Sequence, residues 1–439
     1  MYFLIKNCLK TFFGWINCFV LDEKIFENRL FEIPLKGLRL FGYMISKDQK
    51  FWKVHCFRGA LFTLSFVLFN IFQYVDLYQT WGNLDVMMEN ASTTLLFTTT
   101  LVRMFSFYRN RSRYFALLKE ADDEISEILD KNHRGEVKIL FNIVKYFKIL
   151  ALGFISIAII TANGMNLNSF VQSFFYNPEK DASPPLILRS WVPFDIWSHF
   201  YSIYAWQFYI MWLGIIIVSS WHTFILSLMC YCIAFLKILN HRMENFDEYV
   251  LNLLPFKEVI EIKKARNVNF LKNFVVYDTK ADEIFEEIIK KHQKLLKFIK
   301  KLSKLMAIYV FIDFIIFSGL ICALLYETST TDEEVQKVLG VCYIVTMSVI
   351  LWIHYWHANE ISYYNSELSR SMFRSNWYTQ SLTFQKMFLM FSQANTPPLK
   401  IKAFALVITM QVFIGIFRAS YSYFTLLSRL NKKHSLMQN

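Results

Sequence analysis

The sequence predicts an all-α, polytopic membrane protein with seven transmembrane helices, its N-terminus inside and its C-terminus outside. Three observations carry that expectation. Apolar residues make up 55% of the 439 residues and fall in blocks rather than at helical or strand period. Charged residues reach only 19%, below the roughly 25% usual in soluble domains. Lys and Arg gather in alternate connections between the blocks. A soluble protein of this size would need amphipathic patterning to cover such a core.

Each span needs about 20 mostly apolar residues. The first is Phe57–Tyr78, and the second is Leu84–Phe107 with its threonine-rich middle. The third is Phe141–Ala162, where Lys145 and Lys148 near one end can snorkel. Ser198–Leu236 exceeds one untilted span, so the fourth helix should project beyond the bilayer. Leu302–Tyr326, Val338–Ala358 and Ala403–Leu427 complete the set. Met1–Val20 is apolar but broken by Lys6 and Lys10 and has no small-residue cleavage site, so it reads as an interface-lying internal helix, not a secretory signal.

Orientation follows from the basic residues. They crowd the segment before the first span, the connection after the second (Arg103, Arg109, Arg111, Arg113) and the stretch Lys237–Lys304 after the fourth. The loop after the first span has none, the loop after the third only Lys180 and Arg189, and the loop after the fifth only Lys337. The formal charge of +12 therefore faces anionic lipid headgroups, which excludes nucleic acid as the partner it suggests.

Several side-chain groups invite a chemical role. From Asp282 the chain reads as an amphipathic helix: Ile284, Ile288, Leu295, Ile299, Leu302 and Leu305 form an apolar stripe that should pack on another subunit. Its basic run Lys290–Lys304 also looks like a calmodulin target or a lipid-facing helix. His354, His357 and Glu360 share a face at the inner end of the sixth helix, where imidazoles suit a helix C-terminus better than a metal. Asp313 and Arg418 are isolated intramembrane charges, and Asp313 reads as a buried, hydrogen-bonded structural residue. Asn90-Ala91-Ser92 is a sequon close against the second span. Cys322 and Cys342 should both lie in outer halves of neighbouring spans, where a disulfide is one expectation and unpaired thiols the plainer one. No nucleophile elbow, P-loop or zinc motif appears, so the chain reads as neither an enzyme nor a cofactor binder.

External solutes enter the outer half of the bundle, so ligand-lining positions are expected there. On this topology they are Thr94 and Phe97 on the second helix, Phe154 and Ile157 on the third, and Tyr204, Phe208 and Met211 on the fourth. Leu339, Tyr343 and Met347 on the sixth complete the set. Apolar walls with a few hydroxyls suit a small apolar ligand, with ordinary helix packing as the alternative for any one residue.

Three motifs give the chain a family likeness. Before the fourth span come Pro184-Pro185 and then Arg189-Ser190-Trp191-Val192-Pro193-Phe194-Asp195. The sixth-to-seventh connection has Phe373-Arg374-Ser375-Asn376-Trp377-Tyr378, and the last span ends Ser420-Tyr421-Ser422-Tyr423-Phe424-Thr425-Leu426-Leu427. In these the chain resembles the insect odorant receptors, as an odour-tuning subunit and not the co-receptor. The resemblance implies a ligand-gated, non-selective cation channel that binds a small volatile organic ligand. It implies a heterotetramer with the odorant receptor co-receptor in the plasma membrane of an olfactory neuron dendrite. It further implies a pore lined by the seventh helix, with Leu426 as the gate and Ser422 and Thr425 as polar lining. The chain then divides into an intracellular segment (1–56), four helices with a ligand-binding outer half (57–236), an intracellular subunit-contact region (237–304) and helices five to seven (305–439). A gustatory-type channel and a G-protein-coupled receptor are the rival readings, and a transporter comes third.

The charge asymmetry makes a direct prediction. An N-terminal epitope should stay unlabelled on intact cells and a C-terminal one should be labelled; the reverse pattern would refute the orientation.

Overall fold

The structure, a computed structural model, describes residues 30–43, 52–175, 185–196, 198–255, 259–260, 275–331, 333–403 and 406–438. Residues 1–20, where an interface-lying helix is expected, Lys180, Pro184 and residues 256–274 of the basic stretch after the fourth span lie outside them, apart from residues 259–260. A short helix α1 (Glu32–Leu40) leads to the first span, α2 (Trp52–Gln79). There follow α3 (Leu84–Arg109), α4 (Arg111–Lys131), α5 (Arg134–Phe175), α6 (Phe200–Glu244), α7 (Phe246–Asn252), α8 (Val275–Thr330) and α9 (Glu334–Phe373). The chain closes with α10 (Leu382–Ala394), a minimal hairpin of β1 (Lys402–Ala403) and β2 (Leu406–Val407), and α11 (Met410–Gln438). The fold is all-α, with α2, α3, α5, α6, α8, α9 and α11 as the seven helices of the bundle.

Among the described residues, five of these helices are long and apolar enough to cross a bilayer on their own: α2, α5, α6, α8 and α9. The other two are more polar for a structural reason. α3 carries a threonine-rich stretch and Arg103, and α11 carries Arg418 and a run of hydroxyls. α3 turns most of those groups into the bundle, with Thr94, Thr99, Thr100 and Arg103 buried, whereas α11 leaves Arg418 and Ser422 exposed.

α6 is the mast of the bundle. Its most apolar stretch is 89% buried, against 28% for α2. A helix apolar on every side belongs inside a protein or a membrane, and α6 packs against α1, α2, α3, α5, α8 and α9. At 45 residues it runs roughly 67 Å, about twice the hydrocarbon thickness, so it projects as the sequence predicts. α8, at 56 residues, is longer still. Gly59 lets α1 close on α2, because a Cβ there would stand 2.2 Å from Phe41 O. Gly42 makes the intervening turn at φ +75°.

Beyond the bilayer the long helices gather at the basic end with α4, α7 and α10. Asn132 caps α4 in the left-handed conformation (φ 48°), its N–H bonding the Ile128 and Leu129 carbonyls. Ser381 caps α10 by accepting a bond from Phe384 N at 3.0 Å. α4 and α8 are joined by a ladder of ion pairs, Lys291–Glu127 at 2.8 Å, Lys294–Glu124, and Lys301–Glu120 at 2.8 Å. Hydrogen bonds from Lys131 and then Lys291 hold the Glu127 carboxyl down at about 2.

Several expectations are corrected here. The apolar stripe of α8 needs no second subunit, because Ile284, Ile288, Leu295, Ile299 and Leu302 are each at most 3% exposed within this one chain. The same packing and the ladder leave the Lys290–Lys304 run without a free apolar face for calmodulin. His354 and His357 do not lie at the end of the sixth helix. α9 continues to Phe373 because Ile361, Leu368 and Met372 bury its next turns, so both imidazoles sit mid-helix and bond the carbonyls of Ile350 and Ile353. Ala403 does not start the seventh span: Ile401, Ala403 and Ile408 are buried and Ile408 N bonds Ile401 O at 2.9 Å, so the chain turns before α11 begins. Cys322 and Cys342 are free thiols, the plainer of the two expectations.

Arg103, read as part of a basic connection, is instead 2% exposed and pairs with Asp313 of α8 at 2.7 Å. A second buried pair joins α5 to α6: Arg242 donates to both oxygens of Glu136, at 2.6 and 2.7 Å, with both side chains 2% exposed. Its desolvation cost is offset by the bidentate geometry only while both partners are present. Arg242→Met alone should therefore destabilise the solubilised protein by about 3–5 kcal/mol. The double variant Glu136→Leu/Arg242→Met should recover most of that loss, as read from thermal melts followed by size-exclusion chromatography.

Candidate ligand site

Six of the ten residues singled out above line one or other of two adjoining cavities that share wall residues. The deeper one, of about 100 Å³, lies among α3, α5, α6 and α9, with Phe66 of α2 and Ile187 and Leu188 of the loop before α6. Its walls are apolar. Phe66 and Phe97 stack with centroids 4.6 Å apart, and Met165, Met211 and Met347 supply unbranched, adaptable side chains. The second cavity is a wider vestibule of about 850 Å³ that shares Thr93, Met165, Ile187 and Tyr343 with the first. Its lining is strongly acidic, with Asp76, Glu89, Glu327, Glu333 and Glu334 against Arg189.

The loop between α5 and α6 forms the partition. Gln207 clasps it from α6, accepting from Leu188 N at 3.3 Å and donating to Leu188 O at 2.8 Å and Ser190 Oγ at 3.1 Å. Ser169 Oγ donates to Pro185 O at 2.6 Å, and Trp191 N to Phe72 O at 3.2 Å. Arg189 ties the same loop to α2 and α3 through Asp76 at 3.1 Å and Glu89 at 3.3 Å. These bonds press Ile187 and Leu188, each 6% exposed, onto the apolar cavity.

Of the ten expected ligand positions, Phe97, Phe154, Met211, Tyr343 and Met347 line the apolar cavity, and Leu339 lines the vestibule beside Tyr343. Thr94 is turned to Asn90, bonding its Oδ1 at 2.5 Å. Tyr204 donates to Asn166 O at 3.0 Å. Ile157 and Phe208 stand outside both linings. Asn90, of the sequon, is 0% exposed and donates to Asp76 Oδ2 at 2.8 Å, which puts it out of reach of glycosylation. On α11, Leu426 is 57% exposed with Tyr421 and Tyr423, while Ile416 and Ser420 face the bundle. Ser422 and Thr425 donate back to the Arg418 and Ser422 carbonyls.

Sequence reasoning missed the loop residues Ile187 and Leu188, Gly214, and the hydroxyl pair Thr161–Thr346 at 2.9 Å that bridges α5 and α9. The one usable signal was Gly214, a lone glycine in an otherwise apolar helix, which can mark a close approach or a cavity wall.

A bundle of long helices with an apolar cavity beside a polar vestibule is the architecture of a multi-pass membrane protein with room for a small molecule between its helices. The particular family follows from comparison. The model of the 7tm Odorant receptor family matches residues 83–421, and the chain belongs to that family. It is 28% identical over 419 residues to Odorant receptor 56a of Drosophila melanogaster, covering 93% of this chain and 97% of that one. Odorant receptor 30a of the same fly is 23% identical over 91% of this chain and 97% of its own length. In fold it is similar to the olfactory receptor OR5 of Machilis hrabei in complex with eugenol, with a TM-score of 0.74 and 15% identity over 93% of this chain and 100% of that one. The protein is thus a multi-pass membrane receptor, and members of its family are receptors, not enzymes.

A Cβ at Gly214 would meet Phe66 and Phe97 at 3.6 and 3.8 Å, ordinary contact. Gly214→Ala should therefore fold, while Gly214→Leu should fill the cavity. Any apolar ligand that binds there should lose at least about tenfold in potency on Gly214→Leu with surface expression kept, on the order of two buried methylenes' worth of displaced space. An unchanged dose–response curve would put the ligand elsewhere.

Proposed function

We propose that this chain is the odour-tuning subunit of a ligand-gated, non-selective cation channel, assembled with the odorant receptor co-receptor as a heterotetramer in the plasma membrane of an olfactory neuron dendrite. The observation that carries this reading is the apolar cavity among α3, α5, α6 and α9, closed by the loop before α6. At about 100 Å³ it is small beside the roughly 300–1,000 Å³ of drug-sized sites. It suits a compact volatile molecule, and its three methionines can yield to a larger one. The relative from Machilis hrabei is a complex with eugenol, which agrees with a ligand of that scale.

The basic end lies inside on this reading and the acidic vestibule opens outward, so the ligand arrives through the vestibule. Phe97, Phe154, Met211, Tyr343 and Met347 hold it. The inner ends of α6, α8, α9 and α11, with α10, make the subunit contacts; Leu382, Leu389 and Met390 of α10 are 67%, 54% and 72% exposed and await such a neighbour. The exposed face of α11 lines the pore. Gln411, Ser422 and Thr425 give it polar groups, and Leu426 makes an apolar constriction that closes by dewetting. Arg418 and Arg429 on the same helix disfavour cations, which makes conduction depend on the co-receptor's own pore helices.

Co-expression with the co-receptor should give volatile-evoked inward currents that reverse near zero in mixed sodium and potassium. Leu426→Ala should raise the unstimulated current several-fold. Well-expressed tetramers that stay silent across a broad volatile panel would refute the assignment.

A further inference from the structure

The hydroxyls around the apolar cavity are not equivalent. Thr93 donates to Asn90 O and accepts from Gln73. Thr100 donates to Leu96 O at 2.9 Å, Thr161 and Thr346 bond each other, and Tyr343 donates to Ser92 O at 3.2 Å. Each of these is already committed to a hydrogen bond, within a helix for Thr100 and between helices for the others. Ser219 is the exception among the described residues: it is 0% exposed, it lines the cavity, and its Oγ makes no hydrogen bond.

Its place in the fold sharpens the contrast. Ser219 sits on α6 at the deep end, with Val218, Thr100 and Ile350. One turn further on, His222 is 6% exposed, bonds through neither ring nitrogen and faces the His354 ring at 4.9 Å. Beyond it Arg103 holds Asp313. The cavity is therefore an apolar chamber with one uncommitted polar group at its floor. A buried hydroxyl without a partner carries a standing desolvation cost, and a ligand oxygen placed against it removes that cost. An ionised ligand would find no counter-charge among these walls and is disfavoured there.

We infer that Ser219 Oγ is the polar anchor of the cavity, and that the ligand class is a compact apolar molecule carrying a single hydroxyl or carbonyl oxygen. This rests on the receptor reading above and adds the group that sets its chemical specificity. Ser219 can donate to a carbonyl, and can donate to or accept from a hydroxyl. The oxygen points to the floor and the hydrocarbon body fills the space between Phe97, Phe154 and Met347.

The test uses the intact heterotetramer and three probes of one ring size: cyclooctanol, cyclooctanone and cyclooctane. Wild type should respond to the alcohol and ketone at lower concentration than to the hydrocarbon. Ser219→Ala should raise the half-maximal concentration of the two oxygenated probes about 3- to 10-fold, the worth of one neutral hydrogen bond, and leave cyclooctane unchanged. Ser219→Thr, which keeps the hydroxyl, should preserve the discrimination. If all three probes shift together, Ser219 only packs, and the inference fails. It fails equally if wild type does not distinguish cyclooctane from cyclooctanol, a result that needs no variant to fold. Silence to these probes in tetramers that open to other volatiles also overturns it, whereas silence to every volatile tested overturns the receptor assignment itself.

Discussion

The burial of the second half of α6 on every side is the constraint on which the rest of the structure depends. A helix that can expose no face must be ringed by others, and α1, α2, α3, α5, α8 and α9 supply the ring. Because α6 outruns the bilayer, the ring extends with it, and α4, α7 and α10 exist to cover what projects. The cavity is a by-product of the same arrangement. Where Gly214 removes a side chain from the mast, Phe66 and Phe97 stop at van der Waals distance and space remains.

Polar groups inside this bundle act as register pins rather than as a relay. The Arg103–Asp313 pair crosses from α3 to α8, and the Glu136–Arg242 pair from α5 to α6. The hydroxyl bridges Thr161–Thr346 and Tyr343–Ser92 join α9 to α5 and α3. In a membrane, where hydrophobic contrast cannot tell one apolar face from another, such contacts fix which faces meet. The cavity therefore inherits a defined shape although its own lining makes few directional bonds.

Much of this was legible in the sequence, and what was not has a common cause. Blocks of apolar residues announce helices, and the unbroken run from Asp282 into the fifth span announces that α8 is continuous, because each signal is local. Asp313 could be read as buried and bonded, yet its partner lies far back in the chain, and Arg103 passed for a loop residue since no local feature separates a cation in a helix's last turns from one just beyond it. His354 was misplaced for the same reason: nothing nearby says whether a helix ends or continues against a partner. The partition residues Ile187 and Leu188 lie in a loop where apolar character has no period to interpret. Five of the ten expected positions line the cavity, on α3, α5, α6 and α9, because depth along a span follows from the bounds of its apolar block. Thr94, Ile157, Tyr204 and Phe208 fell on neighbouring faces, a rotation of the helix that the sequence does not encode.

α8 has no proline in its 56 residues and a single glycine, Gly319, so it offers no place for a sharp kink. Near its middle Ser303 Oγ donates to Lys402 O at 2.8 Å and accepts from Lys402 N at 3.2 Å, tying it to the hairpin that introduces α11. A stiff beam anchored in this way works as a lever arm with its load at the foot of the last helix. No joint along its length separates the part that packs on α4 from the part that packs on α3.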